Sequence, residues 1–238
     1  MNLRKILVES FRMLLDRPKL FVPKLVSTSI STLWILSLGL NFSNPASVTR
    51  EAAIFYLASA PLMILLGVTV SVMLAKMVQD EPHLRKSFLD TLRKWRSLLG
   101  VTTGILLAGV GIYIPSILGF SLYVLTGTFT FLIAGAAVSF LLMLLVSYSI
   151  FFLPISLVES SGLGESIREA VGASRRNSRE VTLLLMMSFV LLGVAFTMQG
   201  TLQKLGILGF ILSRLTSAVT TTYLFVVSPN MYLNEEGK

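Results

Sequence analysis

Arg214 is the residue of this chain whose position most needs a chemical explanation. It falls inside a predicted transmembrane segment, in a hydroxyl-rich run that includes Ser213, Thr216 and Ser217. A cation in a membrane segment is costly to insert and is a candidate functional group by default. No carboxylate falls in the predicted spans, so carbonyl groups, water or an anion would be its partners. The alternative is that Arg214 extends to the outer headgroups as an interfacial anchor.

Other residue types that carry chemistry are scarce. His83 is the only histidine and there is no cysteine. Metal binding or acid–base catalysis needs several converging ligands or partners, so we interpret His83 as an exposed residue at a helix start. The sequence has no phosphate-binding loop, dinucleotide fingerprint, hydrolase elbow or zinc-protease motif. We therefore predict no enzyme activity, no metal and no cofactor.

Composition places the chain in a membrane. Hydrophobic residues make up 54% and charged residues 13%, whereas a soluble domain carries about 25% charge. Residues 97–158 contain no charged residue at all, and one spanning helix needs only about 20 apolar positions. The net charge of +8 would suggest nucleic acid for a soluble protein. Here membrane headgroups explain it better, and no nucleic-acid partner is expected.

Hydropathy predicts an all-α, polytopic transmembrane bundle. We place six spans near 21–40, 52–77, 98–118, 128–157, 182–200 and 207–229. A polar loop at 41–51 joins the first pair, and an apolar loop at 119–127 joins the second. We predict that Pro154 ends the fourth span and Pro229 the sixth, because proline disrupts a helix interior.

The basic residues predict an orientation. The short segments between hairpins and the two termini hold 17 of the 20 Lys and Arg residues, and the other three are Arg50, Lys204 and Arg214. Basic segments stay on the cytoplasmic side of a membrane. Both termini are therefore predicted to be cytoplasmic in a multi-pass protein of the plasma membrane.

One pattern occurs three times: leucine, a serine three positions later, then spaced apolar residues and a basic residue. The copies are Leu7, Ser10, Phe11, Leu15 and Lys19; Leu84, Ser87, Phe88, Leu92 and Arg96; Leu163, Ser166, Ile167, Val171 and Arg175. Each copy precedes enough apolar sequence for two spans. We predict a single membrane domain, 1–238, of three parallel repeats near 1–81, 82–160 and 161–238.

Each copy reads as a basic amphipathic helix that lies in the headgroup plane. The second and third copies predict a basic collar that binds anionic lipids. Its members are Arg85, Lys86, Arg93, Lys94, Trp95, Arg96, Arg175 and Arg176. The alternative is that these helices are solvated linkers which return the chain to the next hairpin.

The segment from Glu165 to Asn177, which follows Pro154 and precedes a new span, carries a family resemblance. It resembles the cytoplasmic stretch "proline, acid, then E-A-[IL]-x-x-S-x-x-x-x-[KR]-x-N" of an uncharacterised prokaryotic, archaeal-type six-span membrane family. That family is similar to the membrane domain accompanying some glycerophosphodiester phosphodiesterases. The run from Asp16 to Phe21 resembles the family's entry to its first span. The resemblance implies an integral membrane protein with no assigned chemistry, and Gly172 departs from the usual bulky pattern.

Three functions follow from these patterns. The first is a membrane scaffold or accessory protein that contacts lipids and partners. The second is a transporter or channel for a small anionic or lipid-derived solute, with Arg214 in the pathway. The third, a membrane enzyme, lacks the residues it would need. A polar cavity around Arg214 would favour the second function, and a closed apolar bundle the first.

Overall fold

The computed structural model describes residues 3–37, 50–80, 83–202 and 205–236. The described residues form ten α-helices and one 3₁₀ turn, with no β-strand among them. The first helices are α1 (Leu3–Asp16), a 3₁₀ turn (Pro18–Phe21), α2 (Val22–Ser37), α3 (Arg50–Gln79), α4 (Leu84–Arg93) and α5 (Trp95–Thr126). The others are α6 (Phe129–Ser149), α7 (Leu153–Glu159), α8 (Leu163–Arg176), α9 (Ser178–Leu202) and α10 (Gly206–Glu236).

Six helical segments are long and apolar enough to cross a membrane, which confirms the predicted all-α architecture and span number. They are Pro18–Ser37, Leu57–Gln79, Trp95–Thr126, Phe129–Glu159, Ser178–Leu202 and Gly206–Asn234. Most of the first predicted loop, 41–51, lies outside the described residues, which omit 38–49. Large apolar side chains are exposed along α5, α6 and α9, as expected for surfaces that face lipid tails.

The buried core is gathered around the second half of α3. Eight of the eleven residues of 68–78 are buried there, against α7, the start of α5 and the end of α10. Phe152, Ile155 and Tyr232 are among its largest fully buried side chains. Small and hydroxyl residues let the amphipathic helices approach this core closely.

The fourth span is broken, contrary to the predicted continuous helix over 128–157. Helix α6 ends at Ser149, and α7 begins at Leu153 with Pro154 in its first turn. Proline suits a first turn, where no hydrogen bond from its nitrogen is needed. Pro154 therefore starts a new helix as well as ending the old one. Pro229 was predicted to end the sixth span, but α10 continues past it to Glu236.

The second hairpin differs from the predicted apolar loop at 119–127. Helix α5 continues to Thr126, and only two residues separate it from α6. Gly127, at φ 70°, caps α5 in the left-handed conformation that glycine adopts at no steric cost. Gly119 is a contact residue: a Cβ there would come within 3.0 Å of the Cα of Gly135. Serine hydroxyls add to this contact, since the Ser116 Oγ donates to the Ser139 Oγ at 2.8 Å.

The three predicted amphipathic helices are present as α1, α4 and α8. Each buries its repeat serine, Ser10, Ser87 or Ser166, against the bundle. Large apolar residues of the same helices, such as Phe11 and Phe88, remain exposed. Each of these three helices therefore packs a face of small residues against the bundle and exposes a separate apolar face beside its charged residues. The equivalence of the three repeat units stays a prediction.

Candidate functional site: a cationic cavity between three spans

Arg214 faces the interior of the bundle. It lies two helical turns into α10, and its Nη2 donates a hydrogen bond to the Ser31 Oγ of α2 at 2.7 Å. The Ser31 hydroxyl in turn donates to the carbonyl of Thr28 at 3.0 Å. A hydroxyl that donates to its own helix keeps its lone pairs for another donor. The α2 backbone thus orients Ser31 as an acceptor for Arg214.

Lys24 of α2 faces Arg214 across the same space. Its side chain is half-buried, and its Nζ lies 5.2 Å from the ring centroid of Phe225. Stacking on an aromatic face stabilises a cation that has left water. The Phe225 ring thus supports Lys24 from the side of α10.

Lys24 and Arg214 line one cavity of about 130 Å³ between α2, α3 and α10. The other lining residues are Ser27, Thr28, Ser31, Met63, Leu66, Gly67 and Ser217. The described residues that line this cationic cavity include no aspartate or glutamate. Its volume is about that of four liquid water molecules. Two cations in a space of that size suit a small anionic group. Of the four hydroxyl groups in the lining, those of Ser27 and Ser31 donate to carbonyls of α2.

Sequence reasoning missed Lys24, which it counted with the cytoplasmic basic residues. A signal was present, because Lys24, Ser27, Thr28, Ser31 and Thr32 are spaced along α2 at i, i+3, i+4, i+7 and i+8. That spacing puts all five on one helix face. Ser27, Thr28 and Thr32 are buried. A polar stripe of this length inside a predicted span marks the face that turns away from lipid.

The predicted basic collar is only partly brought together. Arg85, Lys86 and Arg93 of α4 are exposed and line an open cleft of about 700 Å³ with Lys19 and Asp90. Arg93 also contacts the Asp90 carboxylate at 3.4 Å. The exposed ring of Trp95 lies under the Arg96 guanidinium, and the Arg96 Cζ is 5.5 Å from the centroid of that ring. Arg175 and Arg176 are exposed at the end of α8 and do not line this cleft.

Lys94 differs from the rest of the predicted collar. Its Nζ donates to three carbonyls at the end of α7, those of Leu157, Val158 and Ser160, at 2.5, 2.8 and 3.0 Å. Helix ends leave carbonyls without helical partners, and a cation suits them. Burial, and secondly the charge of Lys76, lowers the pKa of Lys94. Lys94 thus ties the broken fourth span to the start of the third and is turned away from the headgroups.

A second polar cluster joins α8, α10 and the turn after α7. The Tyr232 hydroxyl donates to the Glu169 Oε1, and the Ser160 Oγ donates to the Glu169 Oε2 at 2.6 Å. Tyr232 is almost fully buried. Both carboxylate oxygens therefore accept hydrogen bonds within the protein. The sequence analysis did not single out Glu169 and did not identify this cluster.

The remaining sequence-based candidate, His83, is exposed at the N-cap of α4. Within the described ranges, no group of three His, Cys, Asp or Glu residues is placed to hold a metal ion. Comparison of the chain with protein-family models, with curated proteins and with solved structures finds no match. Functional inference therefore starts from the cationic cavity.

Proposed function

We propose that this integral membrane protein binds an anionic group inside the bilayer and serves as a carrier or channel for a small anionic or lipid-derived solute. The observation that supports this is the convergence of Lys24 and Arg214 on one polar cavity. A cation at the centre of a spanning helix costs about 2.5–3.5 kcal/mol; Lys24 lies nearer the end of its helix than Arg214 does, so this cost applies chiefly to Arg214. Their mutual repulsion in a medium of low dielectric adds to that cost. An anion between them would offset both terms.

The solute is bound and moved, and is not chemically changed, in this proposal. The lining supplies cationic and hydroxyl groups but no histidine or carboxylate among the described residues, so it offers no evident general base. We further propose the plasma membrane as its location, with cytoplasmic termini, from the distribution of basic residues.

Equilibrium binding of radiolabelled inorganic phosphate to the detergent-solubilised full chain tests the proposal. We expect saturable binding that weakens about 10- to 100-fold in Lys24→Gln and in Arg214→Gln, since a hydrogen bond to a charged group contributes about 1.5–3 kcal/mol. Thr216→Val is the matched control, because its hydroxyl bonds to Leu212 of its own helix and does not line the cavity. Absence of saturable binding, or equal binding in all four proteins, would refute the proposal.

A scaffold role at the membrane surface is the second candidate, and the exposed face of α4 favours it. Phe88, Leu89 and Leu92 are exposed beside the basic residues of the same helix. A peptide of residues 82–99 should gain helicity on anionic vesicles and lose it as salt rises, because each basic residue near the surface contributes about 1 kcal/mol. A peptide with Arg85, Lys86 and Arg93 changed to Gln is the control. Equal binding to neutral vesicles would remove the electrostatic part of this role.

A further inference from the structure

A larger apolar cavity lies beside the cationic cavity. It has a volume of about 480 Å³ and is lined by α3, α5, α7, α9, α10 and the break between α6 and α7. Its lining is apolar except for three serines, Ser71, Ser188 and Ser228. Ligand pockets typically have volumes of about 300–1,000 Å³. The apolar cavity is thus large enough for part of an organic ligand.

The three serines do not make this cavity polar. Their hydroxyl groups donate to the carbonyls of Val68 at 2.8 Å, Leu184 at 2.7 Å and Phe151 at 2.7 Å. Each hydroxyl has one hydrogen to donate. The serine donors are therefore used on backbone groups, and the cavity suits hydrocarbon.

Gly67 of α3 lies at the junction of the two cavities. It lines both of them, and a Cβ atom at Gly67 would meet no neighbouring atom within 4 Å. Phe225 lines the apolar cavity while its ring supports Lys24. A ligand that occupied both cavities would pass Gly67, which has no side chain to obstruct it.

The break in the fourth span belongs to the same cavity. Ile150 and Phe151 lie in the break, Leu153 and Pro154 begin α7, and all four line the apolar space. Backbone outside a regular helix is tolerated inside a protein where it lines a cavity. The break therefore forms part of the wall of the apolar cavity.

Resting on the proposed function, we infer that the ligand is an anionic amphiphile with a long hydrocarbon chain. Its phosphate or carboxylate lies between Lys24 and Arg214, and its chain passes Gly67 into the apolar cavity. A phosphate-bearing lipid and a fatty acid share this chemistry. A free inorganic anion would use only the first of the two cavities.

Displacement of labelled inorganic phosphate from the detergent-solubilised full chain separates these possibilities. The competitors are hexadecyl phosphate, butyl phosphate, hexadecanoate and hexadecyl phosphocholine. In the wild type, we expect hexadecyl phosphate to displace phosphate at a concentration about tenfold below that of butyl phosphate, since burying a few methylene groups is enough for that factor. Hexadecyl phosphocholine, with the same chain and no net charge, should compete poorly. Displacement by hexadecanoate would place fatty acids among the ligands.

Ile105→Phe is the decisive variant, because the larger side chain would fill part of the apolar cavity and Ile105 does not line the cationic cavity. We expect it to bind inorganic phosphate within about twofold of wild type and to lose the advantage of the long chain. Gly67→Leu should lose the same advantage, measured within that variant as the ratio of the hexadecyl phosphate to the butyl phosphate concentration because Gly67 also lines the cationic cavity. This second variant covers the case in which Ile105→Phe does not fold. Micelle partitioning acts equally on all proteins, so the difference between wild type and variant reports the cavity.

The outcomes separate the two proposals. The amphiphile inference is wrong if the wild type shows no preference for hexadecyl phosphate over butyl phosphate, or if both cavity variants keep that preference. Anion binding would still stand in either case. No phosphate binding by the wild type overturns both. Loss of phosphate binding in folded Ile105→Phe also overturns the two-cavity arrangement, because the head and chain would then share one space.

Discussion

At the scale of residues, the two interior cations are stabilised in different ways. Lys24 rests on an aromatic ring, whereas Arg214 donates to the hydroxyl of Ser31. A guanidinium offers planar, paired donors, and an ammonium offers a compact charge on a flexible stem. Together they fit an anionic group with several oxygen atoms, held in orientation by Arg214 and neutralised by Lys24.

Replacement of Arg214 by leucine separates function from stability. Removing the cation relieves an insertion cost of about 2.5–3.5 kcal/mol, and the charge-assisted hydrogen bond it loses is worth only about 1.5–3 kcal/mol. We expect Arg214→Leu to unfold at the same temperature as wild type or higher, while phosphate binding is lost. Thermal unfolding in detergent and equilibrium binding measure the two effects. Arg214→Lys should restore binding in part, because lysine lacks the planar fork.

The result that would contradict this account is a lower unfolding temperature together with unchanged binding. Arg214 would then be a structural residue that holds α10 to α2, as its contact with Ser31 would allow. Thr216→Val, two positions along the same helix, controls for the loss of a polar group from α10.

At the scale of elements, the α5–α6 hairpin depends on a close glycine contact. A Cβ at Gly119 would lie 2.4 Å from the carbonyl oxygen of Phe131 and 3.0 Å from the Cα of Gly135. Overpacking of this kind costs about 1–3 kcal/mol, so we expect Gly119→Ala to lower the unfolding temperature. Gly109→Ala is the matched control on the same helix, since a Cβ there meets nothing within 4 Å. The control should be neutral or stabilising, by about 0.5–1 kcal/mol, and equal effects of the two changes would contradict the contact.

Sequence patterns predicted the elements well and their ends poorly. Spans are set by long stretches without charge, which are visible locally, so the six spans were found. The turn at Gly127 was missed because an apolar helix and an apolar loop have the same composition. The break at 150–152 was missed because it follows from packing around a cavity, and Pro154 alone suggested only a helix end.

Only one of the two cations of the candidate site was identified from the sequence, for a related reason. Arg214 stood out as a charge inside a span, but the sequence left open whether it faces the interior or extends to the outer headgroups. Lys24 lies close enough to the start of α2 to be counted with the surface cations. Its meeting with Arg214 depends on α2 packing against α10, a contact between distant parts of the chain that no local pattern contains.

At the scale of the whole molecule, the distribution of basic residues predicts the orientation. The chain has no cysteine, so single cysteines at Ser47 and Ser178 report the side of the membrane. Ser178 begins α9 and is exposed, whereas Ser47 lies outside the described residues. We expect an impermeant thiol reagent to label Ser47→Cys in intact cells and Ser178→Cys only after permeabilisation. The reverse pattern would invert the proposed topology.

The cationic cavity is built from helices that are synthesised far apart in time. Ser31 and Arg214 are separated by 183 residues, which at about 5–20 residues per second corresponds to about 10–40 s of translation. During that interval Lys24 already occupies the bilayer, and the groove between α2 and α3 has no α10 to close it. Lipids of the surrounding membrane therefore reach Lys24 before its protein neighbour does. If the proposed ligand comes from the surrounding membrane, we expect it to be acquired during biosynthesis, before α10 closes over the cavity.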